Sequence, residues 1–474
     1  MSKHYIWSGL QQFGSLAIGF AGTVLIARLL NPMDYGLIAA LSIFMSIAMN
    51  LTESGFADFL ISKQDSSNED FAIVFTHNVA FGVFCYLLLY VSAPWIAEFY
   101  KSTELISIAR ILGLSIVLKA LCISEVTRMR KELQFRKIAL MQLSSSLIAL
   151  IVGYLMAFYG CGYWALVGQT VILAFSQVLY IILLNKWRPV FHFNWQRYKQ
   201  MRGFANNILL SFFTNQLGAN MYSVFIGKFH NPLSLGYFYQ AERVNQISFQ
   251  SVNSIVLTTS YSLLAKENDS NERRKKYNQL LDKFLFIHLS ISFFTIGSAY
   301  SIIKLLFGTK WMATAPLLQL TIISFILTPL VTVNANITKI ENKTNVYRNL
   351  TFIRNGLLFI ALLITYRYSL QIILIGLIVA RILSAILDVF ICGKYVSFYP
   401  STQFLLFFKQ VYSPLLAAAT SYLSIYYWGG SNNFLNLGIY FITFGVIFFS
   451  INYISKNATF FYFINNIQNK FKKR

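Results

Sequence analysis

Runs of roughly 20 mostly apolar residues, separated by short polar breaks, recur from one end of this chain to the other, and no other feature narrows the fold as much. A helix of that length crosses a bilayer. The chain has 474 residues, 56% of them hydrophobic and only 12% charged, with a mean hydropathy of +0.56, which leaves too little polar surface for a water-soluble globule. Lipid offers backbone groups no hydrogen-bond partners, so spanning segments are helices or closed barrels, and the lack of period-two alternation argues against a barrel. The expected fold is an all-α membrane protein of about 14 transmembrane helices, with spans near 6–29, 35–61, 71–94, 105–126, 138–158, 163–184, 204–227, 236–263, 280–303, 314–337, 350–366, 370–393, 410–428 and 435–455. The first apolar stretch runs well past signal-peptide length and is expected to stay as a helix.

Net charge is +22. In a soluble protein that would suggest nucleic acid, but here the bases sit in alternate short loops, which is a topology signal and predicts no nucleic-acid partner. One set carries Arg128, Arg130, Lys131, Arg136 and Lys137, then Lys186, Arg188, Arg197, Lys199 and Arg202, then Lys266 and Arg273 to Lys276, and finally the tail from Lys456 to Arg474. The opposite loops hold little beyond Lys101 and Lys310. The positive-inside rule makes the first side cytoplasmic, with both termini there. The four cysteines, Cys85, Cys122, Cys161 and Cys392, are scattered singly and read as packing residues.

The chain also looks duplicated. At an offset of two hundred, Arg28 matches Lys228, Asn31 matches Asn231, Pro32 matches Pro232 and Gly36 matches Gly236. An offset of six helices gives two parallel six-helix lobes related by an axis along the membrane normal, with a substrate site in a central cavity. The expected organisation is an N-terminal lobe at 1–185, an interfacial linker at 186–202, a C-terminal lobe at 203–394, and two further helices with a basic tail at 395–474. The linker mixes Trp187, Phe191, Phe193, Trp195 and Tyr198 with bases, a composition that settles at lipid headgroups.

Catalytic signatures are absent: there is no G-x-S-x-G, H-E-x-x-H, Walker loop or dinucleotide fingerprint, and no metal-ligand cluster. The expectation is a non-enzyme without cofactor, moving a substrate by alternating access and drawing on a proton or sodium gradient. Ionisable groups inside apolar spans carry the information, because a charge near the bilayer centre costs a few kcal/mol unless it meets water or a partner. Arg381 lies eleven residues into the twelfth span, roughly 16 Å along it. Lys119 and Arg110 lie in the fourth span and Arg243 in the eighth, while Arg28, Lys228 and Lys304 stand close enough to an interface to snorkel. The acidic groups Glu53, Asp58, Glu242 and Asp388 are the candidates for ion coupling or charge pairing. Gln11 and Gln12 among the glycines of helix one, and Asn215 and Gln216 in helix seven, supply uncharged polar groups that suit either a cavity or interhelical hydrogen bonds.

The run IARLLNPMDYGLIAALSIFMSIAMNLTESGFADFLISKQD resembles the opening helices of bacterial polysaccharide-export flippases of the Wzx type, especially the colanic-acid-exporter-like branch. NPLSLGYFYQAERVNQ and SYSLLAKENDSNERRKKY resemble the same family's helix seven to eight region. The resemblance implies the multidrug/oligosaccharidyl-lipid/polysaccharide exporter fold and a substrate of undecaprenyl-pyrophosphate-linked oligosaccharide, turned from the cytoplasmic to the periplasmic leaflet of the inner membrane for surface polysaccharide assembly. It further implies that Arg28, Arg110 and Arg243 hold the pyrophosphate, and that a polysaccharide polymerase and a chain-length regulator are partners. A cation-coupled drug extruder or a peptidoglycan-precursor flippase of the same superfamily are the rival readings. A membrane glycosyltransferase or polymerase is less favoured, for want of an acidic catalytic loop.

Overall fold

The computed structural model describes residues 2–472 apart from 54, 64, 186, 187, 189, 268, 342, 397, 398, 431 and 432, and the described residues form helices and turns without a strand. Each of the fourteen expected spans falls on a helix or on a closely spaced pair of helices. Eleven helical segments are long and apolar enough to cross a bilayer, and the molecule is a multi-pass membrane protein. Its lipid-facing surface is what such a solvent demands: Leu88, Val91, Ile364 and Phe441 all point outward. The chain divides into two compact units, Met1–Tyr239 and Gln240–Arg474.

In the first unit, α1 (Ser2–Leu29) and α2 (Pro32–Glu53) meet in a two-residue turn, and Pro32 opens α2 because its missing N–H costs nothing at a helix start. A short α3 (Phe56–Ser62) follows, set off from α2 by Gly55 at φ 70°. That glycine splits the expected second span, since few other residues adopt this conformation without strain. Ser67 and Asp70 form a reciprocal cap that starts α4 (Asn68–Tyr100). Then come α5 (Glu104–Lys131), α6 (Phe135–Phe158) and α7 (Trp164–Leu179), the last extended by a wider turn to Leu184. Cys122, Met129, Ile138, Met141, Val178 and Ile181 knit α5 to α7 into one apolar core.

The stretch expected as an interfacial linker packs against α3 and α4. Thr76 Oγ1 exchanges hydrogen bonds of 3.0 Å with both the N–H and the carbonyl of His192. Arg197 pairs with Glu69 at 2.8 Å, and Tyr198 packs with Phe56, Phe71 and Met201. Asn194 caps α8 (Trp195–Phe229), so helix begins inside the segment read as linker.

The repeat is visible in the helix ends. α8 stops at Phe229 and α9 (Pro232–Ala265) starts at Pro232, two hundred residues after α1 stops and α2 starts. The two helix starts cross with backbone against backbone. A Cβ on Gly36 would lie 1.7 Å from the Pro232 carbonyl oxygen, and one on Gly236 would lie 1.8 Å from that of Pro32. No side chain larger than hydrogen fits at either place.

The second unit holds the rest of α9, then α10 (Ser270–Phe307), α11 (Thr314–Ser324), α12 (Thr328–Ile340), α13 (Thr344–Thr365), α14 (Leu370–Val396), α15 (Pro400–Trp428) and α16 (Asn433–Ile454). Leu264, Tyr277, Leu285, Leu330, Val333 and Val389 form its central core. The stretch read as a basic tail contains a further helix, α17 (Ala458–Lys472), whose Phe460, Phe461, Phe463 and Ile464 pack beneath α10 and α16. A polar chain locks this end: Gln410 Nε2 donates to Asp282 at 2.7 Å, and Asn457 Nδ2 donates to Gln410 Oε1 at 3.0 Å and to Asn452 Oδ1 at 2.9 Å. Thr459 also donates to Asp282.

Candidate functional site

The tenth expected span is not a continuous helix. Between α11 and α12 the residues Phe325 to Leu327 form tight turns, with Pro329 in the first turn of the second piece. Proline has no N–H to give to the carbonyl four residues back and its ring collides with that carbonyl, so the helix restarts instead of running through. The Phe325 carbonyl receives the Thr328 N–H at 2.9 Å instead. His288 Nε2, on α10, lies 3.1 Å from the same oxygen, so that nitrogen carries the donated proton.

Arg381 on α14 reaches this break. Its Nη1 donates to Ser324 Oγ at 2.9 Å, and its guanidinium lies 3.6 Å from the centre of the Phe325 ring. The Glu242 carboxylate on α9 lies within electrostatic range of Arg381. Both side chains are half-buried rather than sealed. Two side chains of opposite formal charge thus lie near the point where a helix is unwound, the kind of place where backbone dipoles are left to face a ligand.

Asp388, on the same helix as Arg381, belongs to a different centre. It is buried at 3% exposure and bound by Arg354 of α13 at 2.8 Å. Seven residues of spacing put Arg381 and Asp388 on related faces, and their partners separate them. Arg354 is a residue that sequence reasoning passed over.

In the first unit the expected cations take several environments. Arg110 on α5 stacks over Tyr90 of α4 at 4.4 Å. Lys119 is half-buried one turn from Cys122. Arg28 is exposed in the last turn of α1, and Lys228 donates to the Phe99 carbonyl at 2.7 Å. Gln11 is half-buried and Gln12 exposed on α1. Gln216 accepts from Asn220 at 2.9 Å within its own helix, and the side chain of Asn215 lies outside the described residues; in the second unit Arg243 is half-buried next to Glu242 in sequence. Glu53 and Asp58 flank the Gly55 break and are exposed. The glycines of α1 divide as well: a methyl on Gly14 would run into Leu143 of α6 and one on Gly22 into Leu150, whereas Gly9 and Gly19 face open space. Among the described residues no group of three or more histidine, cysteine or acidic side chains could hold a metal ion.

Residues 25–316 match the family model described as polysaccharide biosynthesis protein. The chain belongs to that family. Within the polysaccharide biosynthesis proteins it is 28% identical over 303 residues to the teichuronic acid biosynthesis protein TuaB of Bacillus subtilis, a match covering 62% of this chain and 61% of that one. It is 26% identical over 332 residues to the succinoglycan biosynthesis transport protein ExoT of Rhizobium meliloti, covering 69% and 67%. The chain thus spans about three fifths to two thirds of these relatives' length. In three dimensions it is similar to the lipid II flippase MurJ in an inward closed conformation, with a TM-score of 0.73 at 15% identity, over 95% of this chain and 99% of that one. The Arg381 centre falls beyond the residues that the family model matches.

Proposed function

We propose that this polysaccharide biosynthesis protein is a flippase, not an enzyme, that carries an undecaprenyl-pyrophosphate-linked oligosaccharide from the cytoplasmic to the periplasmic leaflet of the bacterial inner membrane. The observation that carries the reading is Arg381 at the unwound point of the tenth span, answered by Glu242. A guanidinium eleven residues into an apolar helix is costly to keep, and a pyrophosphate is a ligand that repays it through charge-assisted hydrogen bonds. Glu242 holds the cation when no phosphate is present and is released when phosphate arrives, which gives a proton or sodium gradient a group to act on. Arg28, Arg110, Lys119 and Arg243 extend the cationic lining, and Gln11, Gln12, Asn215 and Gln216 supply hydrogen bonds to sugar. Asp388, tied to Arg354, holds two helices together in this scheme.

The fourteen helices are two six-helix lobes, 1–185 and 203–394, joined by 186–202 and followed by 395–474, with both termini cytoplasmic. The lobes rock in alternation while the prenyl chain stays in lipid, and a polymerase with its chain-length regulator receives the product. Arg381→Ala is expected to lower export of surface polysaccharide about tenfold or more at unchanged membrane abundance, with lipid-linked oligosaccharide accumulating inside, and Arg381→Lys to restore only part of it because lysine lacks the forked donors. Normal export in Arg381→Ala would remove this site.

A further inference from the structure

A cavity lies in the first unit, lined by none of the charges assigned to transport. It has a volume of about 860 Å³, in the range of pockets that hold small ligands, and is walled by the start of α4, the end of α5 and the segment that follows α7. Its Arg128 belongs to the basic last turn of α5, next to Arg130 and Lys131, so the cavity lies at the basic-loop end of that helix.

We infer that this groove binds the phosphate headgroup of an anionic phospholipid, with Arg128 and Arg188 as its cations and Val190 and Phe191 against the start of the acyl chain. The first argument is charge. Both acids in the lining are already engaged: Glu69 by Arg197 at 2.8 Å and Asn194 at 3.3 Å, and Glu125 by Asn185 at 2.7 Å with Arg128 at 3.7 Å. Lys137 adds a further cation, with Nζ 2.8 Å from Asn185 Oδ1. Among the described residues Arg188 has no ion pair, and Arg128 is only loosely paired, its Nε 3.7 Å from Glu125 Oε2 without a hydrogen bond. Arg128 is nevertheless held in place, its guanidinium 4.7 Å from the centre of the Phe71 ring. A fixed, loosely paired cation beside a second without a carboxylate is what a phosphate monoanion needs.

The second argument is the other half of the lining. Phe191 lies tilted against the buried Phe75 ring at 5.1 Å between centroids, and Val190 and Phe191 are 60% and 65% exposed at the lip. Free phosphate leaves that apolar wall unused, whereas a phospholipid covers it and shields it from water. The His192 clasp onto α4 then gains a purpose, because it holds the aromatic lip open beside the cations.

The test reads lipid retention and is independent of transport. Purified wild-type protein in mixed micelles of equal phosphatidylglycerol and phosphatidylethanolamine is washed, and the retained lipids are quantified by mass spectrometry. Selective retention of phosphatidylglycerol is expected, falling about fivefold in Arg188→Gln and to the micelle ratio in Arg128→Gln/Arg188→Gln. Arg188 is exposed, so the single variant keeps the test alive if the double one fails to fold. Millimolar inorganic phosphate is expected neither to displace the lipid nor to raise the melting temperature. Non-selective retention by wild type, unchanged selectivity in Arg188→Gln, or equal protection by phosphate alone would each overturn the proposal.

Discussion

The Arg354–Asp388 pair is where a single side chain decides most. Asp388 is almost wholly inside and Arg354 is its neutralising partner at 2.8 Å, so removing the arginine strands a carboxylate in low dielectric. Arg354→Ala is expected to cost about 3 kcal/mol, read as a drop in melting temperature in detergent, whereas the exchange Arg354→Asp/Asp388→Arg recovers much of it. Full stability of Arg354→Ala would show the carboxylate to be hydrated. Arg381 could be singled out from sequence because a lone cation deep in an apolar run has few explanations. Arg354 could not, since it stands near the start of its expected span, where basic residues commonly snorkel. Its partner is 34 positions away, a distance that only folding closes.

At the scale of helices, position in the chain was readable and continuity was not. The fourteen apolar runs all fall on helices because hydropathy and length are local properties. The interruptions at Gly55 and at Phe325 to Leu327 were missed, although Pro329 stood in plain view inside an apolar run. Proline in a spanning segment has several outcomes, and neighbouring helices select among them. Here His288 and Arg381 supply the bonds that make a break acceptable. Pro329→Ala returns an N–H able to bond the Phe325 carbonyl and is expected to straighten the span, drawing Ser324 and Phe325 off Arg381. Export should fall with protein abundance unchanged, and a variant exporting at the wild-type level would show the break to be incidental. The amphipathic α17 was likewise absorbed into a tail, because its apolar face is too narrow for a span-length window and counts only once α10 and α16 are there to cover it.

For the whole molecule, the duplication was legible in four matched residues, and its consequence needed coordinates. Gly36 and Gly236 each lie on the other repeat's proline carbonyl, so Gly36→Ala must push the two helix starts apart. Leu235 is buried beside this crossing, at 1% exposure. In a protein freed of the exposed Cys161 thiol, Leu235→Cys is expected to resist a membrane-impermeant maleimide in the parent and to react in the Gly36→Ala background. Equal resistance in both would mean that the crossing absorbs a methyl group.

Genetic repair of such a lesion has few routes. A clash between two side chains is relieved by trimming either one, but a methyl at 36 or 236 strikes main chain, and no substitution shortens a carbonyl. Suppressors of Gly36→Ala, selected by restored polysaccharide, should therefore fall in the turns at residues 30–31 and 230–231, where an inserted or altered residue re-aims a helix, and not at the partner glycine.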